Sequence, residues 1–180
     1  MKGKRGLTWI QAHNLTVTAT RGQIVLAGDL YDHSNDHGGL HPSLRQAHNN
    51  RDQAGITSRT RAHLADAGYA SAATFTTPSE GILLIATSRD TGQADAHTRS
   101  TDPDWQRMTN RLNNPAGKRL YRRRAGMIEP IFAQLFHHGG RQLHHRGPAA
   151  GTEITLMITA HNAGKLFAHQ QRQTNRRRQT

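Results

Sequence analysis

The stretch that most constrains this chain is Ile82-Leu83-Leu84-Ile85-Ala86, entered through Ser79-Glu80-Gly81. It is apolar at both parities. A strand with one wet face alternates, so an unbroken apolar run fits a strand buried on both faces. Such a strand needs a sheet with helices over both sides. Everything else in the chain has to be read for its ability to supply that cover.

The flanking patterns do supply it. Residues 8–31 read as a hairpin: a first strand over Trp9 to Thr20, a turn at Arg21-Gly22, and a second strand over Gln23 to Tyr31. A polar loop, Asp32 to Gly39, leads to a helix over Leu40 to Gln53 with Leu40, Leu44 and Ala47 on one face. Strand character returns over 59–66 and stops at Asp66-Ala67-Gly68-Tyr69. Ser71 caps a short helix, Ala72 to Thr77, ended by Pro78. Residues 88–104 show no periodicity and read as a loop or insertion. Trp105 opens a helical stretch broken near Asn113-Asn114-Pro115-Ala116-Gly117. Lys118 to Phe136 follows, with Leu120, Met127, Ile128, Ile131 and Leu135 at helical spacing. Gly151 to Ala168 reads as a last amphipathic helix, and 169–180 as a basic disordered tail; its final nine residues hold four Arg and no apolar side chain. The order strand, strand, helix, strand, helix, strand, helices is that of an α/β fold with a mixed sheet.

The core of such a fold is thin. Hydrophobic residues make up 34% of the 180, against ~45–50% in ordinary domains. The absence of cysteine excludes a disulfide scaffold, a thiolate zinc site and a cysteine nucleophile. A net charge of +12 and a pI near 11.4 make nucleic acid the expected partner. No apolar run approaches the ~18–20 residues of a membrane span, and Met1 to Gly6 carries no secretory pattern. A cytoplasmic location and no membrane partner are expected.

Because acids are scarce, each can be weighed by position. There are nine Asp and three Glu. Asp66 ends a predicted strand, where α/β sheets gather ligands. Glu129 is the sole acid between Asp104 and Glu153, and Arg122-Arg123-Arg124 precedes it. Two such acids can hold Mg²⁺ or Mn²⁺, which take carboxylate oxygens, and paired metals ~3.5–4 Å apart serve attack at a phosphodiester. The plain alternatives are a turn-capping Asp and a solvated helix Glu. Pro130 after Glu129 predicts a kink, since it removes an amide and crowds the carbonyl of Gly126. Ala125, Gly126 and Ala133 share the face of Glu129 and leave space beside it.

The wording around these acids goes further. Leu64-Ala65-Asp66-Ala67-Gly68-Tyr69, together with Tyr121-Arg122-Arg123-Arg124-Ala125-Gly126-Met127-Ile128-Glu129-Pro130, resembles insertion-sequence transposases of the DDE type. Gln11-Ala12-His13-Asn14 with Gln23 to Ala27 looks like that family's hairpin, and Thr159-Ala160-His161-Asn162 with Lys165-Leu166 looks like its closing helix. The resemblance spans residues 8–167. It implies a ribonuclease H-like fold over 1–168, DNA cleavage and strand transfer during transposition, and a two-metal Mg²⁺ (or Mn²⁺) site. It makes Asp66 and Glu129 catalytic metal ligands, and Tyr121, Arg122 and Arg124 DNA contacts. The expected partners are transposon ends and target DNA, with room for a homo-oligomer.

Three departures accompany the resemblance. Residues 1–28 hold no acid, where the family has its first catalytic Asp on a central strand. The family's Gly-Tyr-Asn is Ala12-His13-Asn14, and a basic residue seven after the Glu is Phe136. The expectation is therefore a truncated domain lacking its first central strand, marginally stable and inactive alone. The competing function is a non-catalytic basic nucleic-acid-binding protein, which needs only the charge. Two smaller readings complete the set. His137-His138 with His144-His145 reads either as a zinc or nickel site or as a solvated loop, and the loop is favoured because the cluster lacks a thiolate or acid of its own. His161-Asn162 reads as a packing and capping pair.

Overall fold

The computed structural model describes residues 2–5, 8–11, 14–31, 38–87, 101–139 and 143–179. Side chains are described from residue 14 onward, apart from 138 and 139 within a helix. The predicted loop segments 32–37 and 88–100, the side chain of Trp9, residues Ala12 and His13, and the side chain of His138 lie outside that description.

Two hairpins open the chain. β1 (Lys2–Arg5) and β2 (Thr8–Gln11) pair antiparallel with each other. β3 (Asn14–Ala19) and β4 (Val25–Tyr31) form the second, with an irregularity at Thr18/Ala19. The predicted single hairpin over 8–31 is thus half right. Its second strand and its turn hold, but 8–11 pairs backward with a strand the sequence did not announce. α1 (Leu40–Gln53) buries Leu40, Ser43, Leu44 and Ala47, the expected face with one serine added. That serine meets Thr18 of β3, hydroxyl to hydroxyl at 2.7 Å, and Asn50 Nδ2 donates to Leu26 O of β4 at 2.7 Å. The helix is therefore tied to the hairpin by polar bonds as well as by its stripe.

β5 (Ala62–Ala65) and β6 (Ile82–Ile85) are parallel neighbours, joined through a 3₁₀ turn at Ala67–Tyr69 and α2 (Ala72–Thr76). Ser71 caps α2 as expected, its Oγ accepting from Thr74 N at 3.1 Å. Gly81 turns the chain into β6 at φ +76°, where a Cβ would stand 2.6 Å from the carbonyl oxygens of Thr60 and Arg61; only glycine fits there. Leu83, Leu84 and Ile85 are buried, and Ile82 at the strand's entry is exposed.

α3 (Pro103–Asn113) is capped by Asp102, and α4 (Pro115–Tyr121) by Asn114, which is the break read from Asn113 to Gly117. α5 (Arg123–Gly139) starts after a second break at Arg122 and runs through Pro130 without ending. The freed carbonyl of Gly126 accepts from Gln23 Nε2 at 3.2 Å, which replaces the amide that proline lacks. α6 (Pro148–Arg177) has 30 residues. It includes most of the segment whose composition predicts a disordered tail. Past Gly164 that stretch has no glycine or proline, and its Arg and Gln residues are good helix formers.

The mixed sheet, expected without its first central strand, is divided. Among the described residues there are three separate two-stranded pieces, β1–β2, β3–β4 and β5–β6. The architecture is mixed α/β with small sheets and flanking helices. One core joins α1, β5, β6 and α3, and includes Leu44, Leu83, Ile85 and Met108. A second, smaller core sets Val25 against Ile131 and Leu135. Gly28 lets the side chain of Ile158 on α6 come directly onto β4, and a Cβ there would require the end of that side chain to move.

Candidate functional site

The candidate site lies where β5 ends. Asp66 follows that strand and caps the 3₁₀ turn, its Oδ1 accepting from Gly68 N at 3.0 Å. The other oxygen, Oδ2, is 3.9 Å from Nη1 of Arg124 at the start of α5. Tyr121, at the end of α4, donates from its hydroxyl to Ala65 O at 2.9 Å. The Arg124 guanidinium sits 5.9 Å from the centre of the Tyr121 ring, within cation–π range. The break at Arg122 makes this possible. It turns the chain between two helices so that residues 121 and 124 both face the end of β5.

Burial pushes the Tyr121 phenol above its ordinary pKa. The Asp66 carboxylate pushes the same way, and Arg124 opposes both. Tyr121 is therefore a neutral donor at any physiological pH. The Asp66–Arg124 pair is half open to solvent, with side-chain exposures of 48% and 28%. Such a pair contributes little to stability. Its value is positional: a carboxylate and a guanidinium stand together at a strand end, with two further arginines beside them. Arg122 and Arg123 are exposed, and Arg122 forms the C-terminal cap of α4.

Glu129 stands elsewhere. At 100° per residue it is about 140° around α5 from Arg124. It is exposed, as are Ala125, Gly126 and Ala133 on its face, and a Cβ on Gly126 would meet nothing within 4 Å. The expected space beside Glu129 is present, but it opens to solvent and not toward Asp66. Of the five residues expected in the site, Asp66, Tyr121 and Arg124 converge, Arg122 borders them, and Glu129 is on another face.

A divalent cation takes several oxygen ligands at once. Asp66 has one oxygen held by an amide and the other facing a guanidinium. Among the described residues no group of three His, Asp or Glu is placed to hold a metal ion. As arranged, Asp66 and Glu129 face apart and do not form a shared Mg²⁺ or Mn²⁺ site.

In its described part the histidine loop is tied to α6 by an acid. Glu153 of α6 accepts from the backbone amides of His144 (2.9 Å) and His145 (3.1 Å) and lies 3.1 Å from His145 Nδ1. These bonds, the His144 amide first, hold the Glu153 carboxyl below its ordinary pKa. An acid does enter the cluster, but it caps a loop.

His161 and Asn162, read as a packing and capping pair, lie inside α6 and bond the backbone at Gln23 and Val25, while the role of the Gln23 side chain was not read from the sequence. Gln23 follows the Arg21-Gly22 turn at φ +63°. Its Nε2 donates to Gly126 O, and its Oε1 accepts from Lys165 Nζ at 2.5 Å. Asn162 accepts from Val25 N at 2.9 Å and donates to Val25 O at 2.8 Å, which is what a neighbouring strand would offer. His161 Nε2 donates to Gln23 O at 2.8 Å. The available signal was Pro130 itself, whose presence in a helix requires an outside donor for Gly126.

A large cavity of about 570 Å³ adjoins the site and includes Asp66, Arg123 and Arg124 in its wall. Among the described residues no helix is long and apolar enough to cross a membrane. Residues 88–167 match the family model described as a transposase DDE domain. That segment contains Tyr121, Arg122, Arg124 and Glu129; Asp66 lies before it. No curated protein and no solved structure matches the chain. Over residues 88–167 the chain is similar to DDE transposase domains.

Proposed function

We propose that this chain, which carries a transposase DDE segment over residues 88–167, is a DNA-binding part of a DDE-type transposase, with the end of β5 as its substrate face. The observation that carries the reading is the convergence of Asp66, Tyr121 and Arg124 across 55 or more residues of sequence. Arg122 and Arg124 contact phosphates, and Tyr121 holds the strand end against which DNA lies. The finer fold assignment under this reading is ribonuclease H-like. Asp66 and Glu129 are its acids for Mg²⁺ or Mn²⁺. They have to be brought onto one face before they can share an ion, so the chain as folded here binds DNA without cleaving it. A homo-oligomer belongs to the same reading.

Binding of labelled duplex DNA, with and without Mg²⁺ or Mn²⁺, tests this. Arg124→Ala is expected to weaken binding several-fold and lower its salt dependence by about one charge. Asp66→Asn and Glu129→Gln are expected to remove any gain that the metal confers.

A second reading is favoured by α6. Its last turns are exposed and carry Arg172, Arg176 and Arg177. A basic helix of this kind binds nucleic acid through charge alone. Binding that is salt-steep, indifferent to metal, insensitive to Arg124→Ala and lost on removing residues 172–180 would establish that reading instead.

A further inference from the structure

α6 packs on β4 and α5 with one face and leaves the other to solvent. Ile154, on the packed face, is 3% exposed. At 100° per residue, Leu156, Ala160, Ala163 and Phe167 stand on the opposite side, at the four-three-four spacing of a helix seam. All four are exposed, Leu156 to 65% and Phe167 to 62%. Leu166, 57% exposed, flanks them.

This face lacks charge. Between Ala149 and Thr174 it presents only Ala, Leu, Phe, Thr and Gln, exposed throughout, in a chain that is 20% charged. Solvated surfaces carry ~25–35% charged residues, so a helix face about 38 Å long without any is suited to burial. Its polar members are already partnered. The hydroxyls of Thr155, Thr159 and Thr174 donate to carbonyls one turn back at 2.9, 2.8 and 3.1 Å, so covering them strands no donor.

The order of sizes fits a second copy. Leu156, Ala160, Ala163 and Phe167 run large, small, small, large about a centre between His161 and Asn162. Turned end for end, the same helix sets Leu156 against Phe167 and Ala160 against Ala163. A two-fold interface needs such a self-complementary patch, and facing alanines let two helices approach to ~8 Å. Charge decides the direction. A parallel pair brings together two ends that each carry Arg172, Arg176, Arg177 and Arg178. An antiparallel pair holds those ends about 40 Å apart, well beyond the screening length of ~8–10 Å, and sets the helix dipoles in opposition.

We propose that the outer face of α6 is a dimerisation surface, on which a second copy of the chain lays the same helix antiparallel. The contact uses no residue of the Asp66 site. Only the place of such a dimer in transposition rests on the functional reading above.

Sedimentation equilibrium of the nuclease-treated full chain, over a range of protein and salt concentrations, tests this. A reversible monomer–dimer equilibrium is expected that tightens with salt, as the net charge of +12 is screened. Association that loosens with salt is bridging by nucleic acid and would overturn the proposal, as would a monomer at every concentration. Leu156→Glu and Phe167→Lys should each weaken the dimer at least tenfold while leaving the far-ultraviolet dichroism and melting of the monomer unchanged. Combined in one chain they should restore it, because antiparallel pairing sets the two introduced charges opposite each other. A dimer indifferent to both single changes, or one still lost in the double variant, would overturn the arrangement. Arg124→Ala is expected to leave the dimer intact, so failure of the DNA-binding reading and failure of this one are told apart.

Discussion

The two cores are held in different ways. Around β5 and β6, seven buried residues pack together, and Phe75 meets Trp105 edge to face at 4.9 Å. Around β3 and β4, three buried residues carry the apolar contact, and much of the binding is polar. There Gln23, His161, Asn162 and Lys165 link positions 103 to 142 apart in sequence. A packed core tolerates imprecise geometry, because dispersion and burial are non-directional. A polar junction does not, because a buried group that loses its partner costs about 1–3 kcal/mol. The β5–β6 half should therefore answer to volume, and the β3–β4 half to single hydrogen bonds.

The largest effects test volume. Ile85 and Ile131 are both fully buried. Ile85→Ala is expected to cost about 4 kcal/mol and Ile131→Ala about 2–3 kcal/mol, because the sparser core can collapse around the space. Urea midpoints measure both. Equal costs would break the comparison.

Asn162→Ala is the next largest. It strips both partners from Val25, which is 4% exposed, and is expected to cost about 2 kcal/mol. Asn162→Asp keeps the acceptor for Val25 N but sets a carboxylate against Val25 O, and should do no better. If Asn162→Ala costs only a few tenths of a kcal/mol, water replaces the amide and the β3–β4 half is not held as described.

His63 tests the packed half by pH. Burial holds its imidazole below the ordinary histidine value, with His48 acting in the same direction. The folded chain therefore refuses a proton that the unfolded chain accepts below about pH 6.5. Stability from this group is complete above that value and falls as pH drops through it, by at most ~1.4 kcal/mol per pH unit. Urea midpoints at pH 7 and pH 5 should differ less in His63→Phe than in the parent. Identical differences would mean that His63 is hydrated.

The same contrast explains what could be read in advance. α1 was legible to its end residues because its stripe is local and periodic, and Ser71, Asn114 and Gly81 announced a cap, a break and a turn. β6 declared burial on both faces through its composition. The convergence at Asp66 was legible only through the wording of two blocks, since no periodicity relates residue 66 to 121 and 124. The distance to Glu129 follows from helix geometry once α5 is known to start at Arg123, but that start depends on a break that Lys118 to Phe136 conceals. The separation of β3–β4 from β5–β6 was expected only through the resemblance, from the lack of any acid in residues 1–28, and has no local periodic signature. Nor do the bonds from Gln23 and Asn162, which depend on where distant elements come to rest.

The smallest effect separates the two contributions of Gln23. Its backbone lies at φ +63°, a region costing non-glycine residues about 1–2 kcal/mol. Its side chain bridges Gly126 O and Lys165, and such partly exposed bonds contribute about 0.5–1.5 kcal/mol each. Gln23→Ala loses the bridge and keeps the strain, for an expected cost of about 1–2 kcal/mol. Gln23→Gly loses the bridge and the strain together, so its cost should fall to within about 0.5 kcal/mol of zero. Thermal melts of the two variants give the difference directly. If Gly is as damaging as Ala, the backbone at residue 23 stores no strain, and the side-chain bridge accounts for the whole cost of losing Gln23.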